Sequence, residues 1–358
     1  MKSKRTPNAQ PVATPRHVAV VGAGMAGITC ARTLMQAGHH VTVFEKARGF
    51  GGRMATRSTP YGSFDHGTQY FTVRDPRFAL ALQTAPHRVK TWSANAVRLL
   101  DPLGRVAEVA KPSRDAHCVA IPGMNALVRD WAHPIATNGG VELETLVTHI
   151  ERDALNREQW QLRTTGPDES THVYSGFDDV VLALPAPQSA SLLLQSRLCE
   201  DIVARLSQVQ IAPCWTLMVA FPQAMQPDLS YLGPQWNAAR STHHRVAWLA
   251  RESSKPARDS IERWTVQASA AWSREHLEDD AARVQAKLEK AFSEITGIRA
   301  QPGHSQVHRW RYAKTETPLG QSHLWDAKSR IGLCGDWCLG HRVENAFVSG
   351  LDLALTMC

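Results

Sequence analysis

The chain is 358 residues long, 43% hydrophobic and 20% charged, enough for one large or two ordinary domains with real cores. Its net charge of +7 is partly a tail effect, because Lys2, Lys4, Arg5 and Arg16 lie in the first sixteen residues, which carry no acid; no nucleic-acid partner is needed to explain it. Seven scattered cysteines without a CxxC pair suit a reduced, cytoplasmic protein, and neither a membrane-spanning apolar run nor a signal-peptide core is seen, so no membrane partner is expected.

Residues 1–15, rich in Pro, Ala and Thr, are expected to form a disordered leader. The organising stretch follows. Val18 to Val21 is a β-branched run that predicts a buried strand, and the chain then turns through Gly22, Gly24 and Gly27. Ile28 to Gln36 has helical periodicity with Gly38 as its stop, and a second strand, Val41 to Phe44, ends on Glu45. Strand, glycine-rich turn, helix, strand and acid stand in the order a dinucleotide site requires. Gly22 permits the tight turn, Gly24 the approach to a pyrophosphate, and Gly27 close packing of helix on strand. The helix N-terminus offers unpaired N–H groups to the phosphates. Glu45 can accept hydrogen bonds from ribose hydroxyls and would repel a 2′-phosphate, which favours FAD or NAD over NADP.

Directly after this acid come Gly51, Gly52 and Arg53. A second glycine pair lets the backbone approach the cofactor again, and Arg53 can pair with phosphates, a contact that a nicotinamide dehydrogenase does not need. The nucleotide is therefore expected to be FAD. The segment Phe64-Asp65-His66-Gly67-Thr68-Gln69-Tyr70-Phe71 sets polar groups between aromatics, as a site lining would; a hairpin with Asp65 capping its turn is the plainer alternative. Gly51 to Thr56 followed by Asp65 to Phe71 resembles renalase and its bacterial relatives, FAD-dependent enzymes of the flavin amine oxidase superfamily.

Beyond this point the pattern predicts a helix at Pro76 to Leu82, alternating segments around Trp92 to Val109, and strand, Pro-Gly turn and helix over Val119 to Ala132. Strands are expected at Val141 to Ile150, Trp160 to Thr164 and Asp179 to Leu184, then at Trp215 to Phe221 and Arg245 to Ala250, with Trp264 to Ala271 a strand or a helix start. Leu277, Ala281, Val284, Leu288, Ala291, Phe292 and Ile295 have amphipathic helical spacing that should cover a sheet. No metal is expected: His304 and His308 sit four apart but a strand is predicted over Val307 to Tyr312, and His243-His244 lies in a polar loop.

Two later stretches extend the resemblance. His308 to Ala313 is similar to the renalase strand that carries side chains toward the flavin; its Trp310 and Tyr312, with Tyr70 from the earlier stretch, are candidates for the substrate cavity, and a core role for Trp310 is the alternative. Strand Arg330 to Cys334, Gly335-Asp336 and a helix opening at Arg342-Val343 resemble the superfamily's last cofactor motif. The resemblance implies that Asp336 binds at or near the ribityl chain and that the helix starting at Val343 aims its N-terminus at the flavin pyrimidine ring. Cys338 is not at the position of the superfamily's covalent cysteine, so FAD is expected to be non-covalent.

The fold expected from these elements is α/β, with a discontinuous Rossmann-like FAD-binding domain (16–75, 118–187 and 303–358) and an inserted mixed α+β substrate domain (76–117 and 188–302). The expected reaction is hydride transfer from a small substrate to flavin N5. No second GxGxxG is present for a nicotinamide reductant, so O2 is the expected acceptor, giving H2O2. The resemblance implies a dihydronicotinamide isomer of NAD(P)H as substrate. A flavin amine oxidase or desaturase acting on another small molecule, and a non-catalytic FAD-binding protein, are the alternatives. No residue stands out as a catalytic base, and the choice between monomer and dimer stays open.

Overall fold

A computed structural model describes residues 14–92, 98–109, 115–225 and 236–358, so residues 1–13 of the expected leader lie outside the described residues. His17–Val21 is a central strand of a six-stranded sheet, with His40–Phe44 parallel on one side and Asp179–Leu182 parallel on the other. Val141–Glu142 extends the sheet beyond the first, and Ile331–Leu333 beyond the second; Leu324–Asp326 closes that edge antiparallel. Both faces of this sheet are covered, which is why Val18 to Val21 and Val180 to Leu182 are apolar without alternation.

One face carries the helices Met25–Gln36, Asn125–Thr137 and Val343–Met357, whose Ile28, Leu34, Trp131 and Phe347 share a core with Val18, Val20 and Val43. The other face is covered by a three-stranded antiparallel sheet (Leu146–Arg152, Trp160–Thr165, Thr171–Phe177) and the helices Ala186–Ser196 and Glu200–Leu206. Trp160, Phe177, Leu192 and Leu193 pack there on Ala19, Val21 and Phe44.

The second sheet has seven strands in the order His304–Thr317, Gln210–Phe221, Glu262–Ala268, Val246–Arg251, Ala238–Ser241, Arg98–Leu100 and Val106–Val109. Helix Ala281–Thr296 lies over it, burying Val284, Leu288 and Phe292 against Leu217, Val219 and Val266. The fold class is thus α/β, a Rossmann-like layer joined to a mixed sheet-and-helix layer.

Several elements differ from expectation for local reasons. Val141 to Ile150 is two strands, because Glu144 turns with φ +54° and sends the chain from the parallel sheet into the antiparallel one. The stretch at 264–271 is both strand and helix: Glu262–Ala268 ends where Ser269 caps Ala270–Glu275 by accepting from the Trp272 N–H. The amphipathic helix starts at Ala281 rather than Leu277, since Asp280 caps it through the N–H groups of Ala282 and Arg283. Strand His304–Thr317 hydrogen-bonds along Gln210–Phe221, so the segment assigned to the FAD domain from 303 onward begins in the other sheet. The expected boundary at 187/188 likewise cuts helix Ala186–Ser196, which packs beneath the first sheet.

Candidate cofactor cradle and active site

The glycine turn is built for close approach. Gly22 has φ +109°, and a methyl group there would sit 2.7 Å from the Ala183 carbonyl oxygen; one on Gly27 would sit 2.0 Å from that of Gly22. Gly24 caps helix Met25–Gln36 with no side-chain hydrogen bond and no acid in the first turn, leaving its N–H groups and partial positive charge available. Gly51 donates to Ala23 O at 3.0 Å, which lays the second glycine pair alongside Gly24. Five glycines therefore meet around one helix N-terminus. Bare backbone facing a positive dipole fits a pyrophosphate.

Glu45 sits at the end of its strand, beside this turn. Its carboxylate accepts from Ala23 N–H at 2.8 Å and Ala47 N–H at 2.9 Å, so it also fixes the turn it was expected to serve as a ribose acceptor. Arg53 and Asp336 come together as a two-armed ion pair, with Nη1–Oδ2 at 2.9 Å and Nη2–Oδ1 at 2.5 Å. The guanidinium expected to pair with phosphates is thus held by Asp336. Val343 opens helix Val343–Met357, whose only first-turn acid, Glu344, is turned aside to accept from the backbone N–H groups of Arg74 and Asp75. That N-terminus is free to favour negative charge.

The substrate candidates fall into two places. Tyr70 stacks on His117 with ring centroids 4.1 Å apart, near Trp92 and Trp248. Trp310 stacks on His66 at 5.2 Å and donates from Nε1 to His66 O at 3.0 Å, with His308 edge-on to both rings. The two stretches resembling renalase thus touch through His66 and Trp310, although Tyr70 and Trp310 share no ring contact among the described residues. Tyr312 is half-buried, in a stretch where a bulge interrupts the ladder between Trp310 and Lys314. Strand alternation therefore does not by itself place it beside Trp310. Burial, reinforced by His308 and Arg57, pulls the His66 imidazole down to about 3; burial and Arg57 pull His308 down to about 4. Both rings are neutral near pH 7.

Sequence reading missed a buried charge network behind these rings. Lys255, wholly buried, donates to Asp65 at 3.2 Å, Glu252 at 3.0 Å and Gln69 at 3.3 Å. Asp65 also accepts from Arg258 at 2.7 Å, Thr56 at 2.7 Å and Met124 N–H at 2.9 Å. Burial would raise the Asp65 carboxyl, but Lys255 and Arg258 outweigh it and hold it at about 2, whereas burial leaves Glu252 raised. The alternative of Asp65 as a turn cap gives way to a buried charge that ties residues 56–69 to helix Asn125–Thr137 and to the second sheet. Among the described residues no group of three or more His, Cys, Asp or Glu could hold a metal.

Comparison with known proteins locates this geometry. The profile of flavin-containing amine oxidoreductases matches residues 107–357, and that of NAD(P)-binding Rossmann-like domains matches residues 20–83. The chain belongs to the flavin-containing amine oxidoreductase family. FAD is its cofactor. Among curated relatives, a flavin-containing monooxygenase, FMO GS-OX-like 7 of Arabidopsis thaliana, is 26% identical over 183 residues, 47% of this chain and 35% of that one. An L-amino-acid oxidase of Notechis scutatus scutatus is 55% identical over 42 residues, 12% of this chain and 8% of that one. The matches span little more than a third of those relatives' length at most. A solved structure of a candidate protoporphyrinogen oxidase from Exiguobacterium sp. 255-15 superposes with a TM-score of 0.71 over 96% of this chain and 99% of that one; at 13% identity the likeness is one of fold. No helix among the described residues is long and apolar enough to cross a membrane.

Proposed function

We propose that this family member is a renalase-like oxidase, removing a hydride from a dihydronicotinamide isomer of NAD(P)H and delivering the electrons to O2 as H2O2. The observation that carries this reading is the meeting of residues 65–71 with 308–313 through the His66–Trp310 stack and hydrogen bond. Both stretches share the renalase resemblance, and aromatic rings beside neutral imidazoles suit a planar, uncharged ring.

FAD, held without a covalent bond, supplies the hydride acceptor when bound. Gly22, Gly24, Gly27, Gly51 and Gly52 would hold the pyrophosphate and its surroundings, Glu45 the ribose, and Arg53 with Asp336 the ribityl side. Val343 and its first-turn N–H groups would favour negative charge on the pyrimidine side. Cys338 is buried and its thiol pushed up by burial, the opposite of a residue poised for a covalent link. Tyr70, Trp310 and Tyr312 remain the proposed substrate contacts, with the seven-stranded sheet and its covering helix as the main substrate-domain elements.

Proton handling favours the dihydronicotinamide over an amine. Loss of hydride from a neutral dihydropyridine needs no base, whereas an alkylamine is cationic near pH 7 and must first shed a proton. Lys255, 5.5 Å from the Trp92 ring centroid, is engaged between Asp65 and Glu252. Steady-state H2O2 release from a panel of dihydronicotinamide isomers, NADH, NADPH and amines tests the reading. Release with the 2- or 6-dihydro isomers is expected; release with amines alone would replace it by an amine oxidase.

A further inference from the structure

A cavity of about 530 Å³ opens between the first two strands of the three-stranded sheet, the turn after helix Ala186–Ser196 and the loop after strand Leu324–Asp326. It shares no lining residue with the cradle. Four cations line it: Arg152, Arg157, Arg197 and Lys328. Its two acids are already engaged. Glu151 accepts from Arg163 at 2.8 Å and Gln161 at 2.6 Å, and Asp326 from Ser329 Oγ at 2.6 Å and Lys328 N–H at 3.1 Å.

Of the cations only Arg152 is engaged among the described residues, donating from Nη1 to Glu158 O at 3.2 Å. Arg152 stacks on Trp160, 3.8 Å from the ring centroid, and Trp160 is pinned by its bond to Ser329 O at 3.0 Å, so this side is a rigid floor. Among the described residues, the charged ends of Arg157, Arg197 and Lys328 have no ion-pair or hydrogen-bond partner. The backbone that presents them is unusual as well. Arg197 and Cys199 both adopt left-handed conformations, with φ +56° and +51°, where glycine would be least costly. That turn is fastened by Leu198 N–H to Leu193 O at 2.9 Å and Ile150 N–H to Ser196 Oγ at 3.0 Å.

Three exposed cations without ion-pair partners stand around one open depression, where their like charges add and a bound anion would offset them. We propose that this cavity binds a small polyanion with two linked phosphate groups, either free diphosphate or the diphosphate of a nucleotide. Guanidinium forks match phosphate oxygens in pairs, and two linked phosphates can engage cations on both sides of the cavity at once. The volume lies within the range of small-molecule sites. A nucleic acid or a membrane would call for an extended basic face, and these charges gather around one open depression instead.

Calorimetric titration of the FAD-saturated protein with pyrophosphate, ADP and orthophosphate tests the proposal, saturation keeping ADP off the cradle. Pyrophosphate should bind one-to-one, roughly tenfold or more tighter than orthophosphate, and weaken with salt. The combined variant Arg157→Ala, Arg197→Ala and Lys328→Ala should lose at least roughly tenfold in affinity with its flavin spectrum unchanged. Should that variant fold poorly, Arg197→Glu carries the same expectation. ADP tighter than pyrophosphate would identify a nucleotide as the source, and equal affinities the diphosphate alone. No saturable binding up to about 10 mM, or equal binding by wild type and variants, would overturn it.

Discussion

Arg53 and Asp336 are 283 residues apart in the chain and yet form a two-armed ion pair, 2.9 and 2.5 Å, between the second glycine pair and the last cofactor motif. A fork-to-fork pair fixes both position and angle, which one ammonium cannot do. Arg53→Lys and Asp336→Asn are each expected to weaken FAD binding by roughly tenfold or more, since the first leaves the buried Asp336 carboxylate and the second the half-buried Arg53 guanidinium poorly matched. Titrating apoprotein with FAD and following flavin fluorescence reads this out. Unchanged affinity in both variants would mean that the pair is structural only.

Gly27 makes a steric prediction. A methyl group there would meet Gly22 O at 2.0 Å, and backbone cannot step aside. Gly27→Ala should give protein that purifies without its yellow cofactor, while Gly49→Ala, whose methyl group would meet nothing within 4 Å, should remain yellow. Equal FAD content in the two would contradict the packing described.

The buried network predicts coupling. Lys255→Met leaves Glu252 without its cation and should destabilise the fold by about 3–5 kcal/mol. Glu252→Gln in the same chain should recover part of that loss, because the unpaired charge goes with it. Urea unfolding of the single and double variants measures the coupling, and strictly additive losses would show that the two do not act as a pair.

How much of this was legible beforehand depends on how local its cause is. Gly27 is dictated by the carbonyl oxygen of Gly22 nearby in the chain, and the flanking β-branched runs carry their own pattern, so the first strand–turn–helix unit could be read directly. The amphipathic helix carried its pattern in its own sequence, and only its start was misjudged because Asp280 caps it. Lys255 gave no such signal: its partner Asp65 is 190 residues away, and a lysine in a polar loop looks the same whether solvated or buried. Glu144 hid the break between two strands in the same way, since a left-handed turn at a glutamate has no compositional mark. Tyr70 and Trp310 were paired by resemblance, but the chain sets their rings in separate clusters.

Stability should fall in mild acid. Unfolded histidine titrates near 6.5, whereas burial together with His308 and Arg57 holds His66 at about 3, and burial with Arg57 holds His308 at about 4. Below pH 6.5 the unfolded chain takes up protons that the fold refuses, so stability is full above that point and falls toward pH 4. The slope should reach about 1.4 kcal/mol per pH unit for each ring. Urea midpoints measured across this window should drop less steeply for His66→Gln than for wild type; parallel curves would contradict the assignment.

The most direct test of the central claim is anaerobic mixing of the yellow protein with 2- and 6-dihydronicotinamide isomers, NADH, NADPH and a set of amines, with flavin absorbance followed in time. Rapid bleaching by the 2- and 6-dihydro isomers, with colour returning on admission of air, is the predicted result. Bleaching by amines while the isomers leave the flavin oxidised would contradict it.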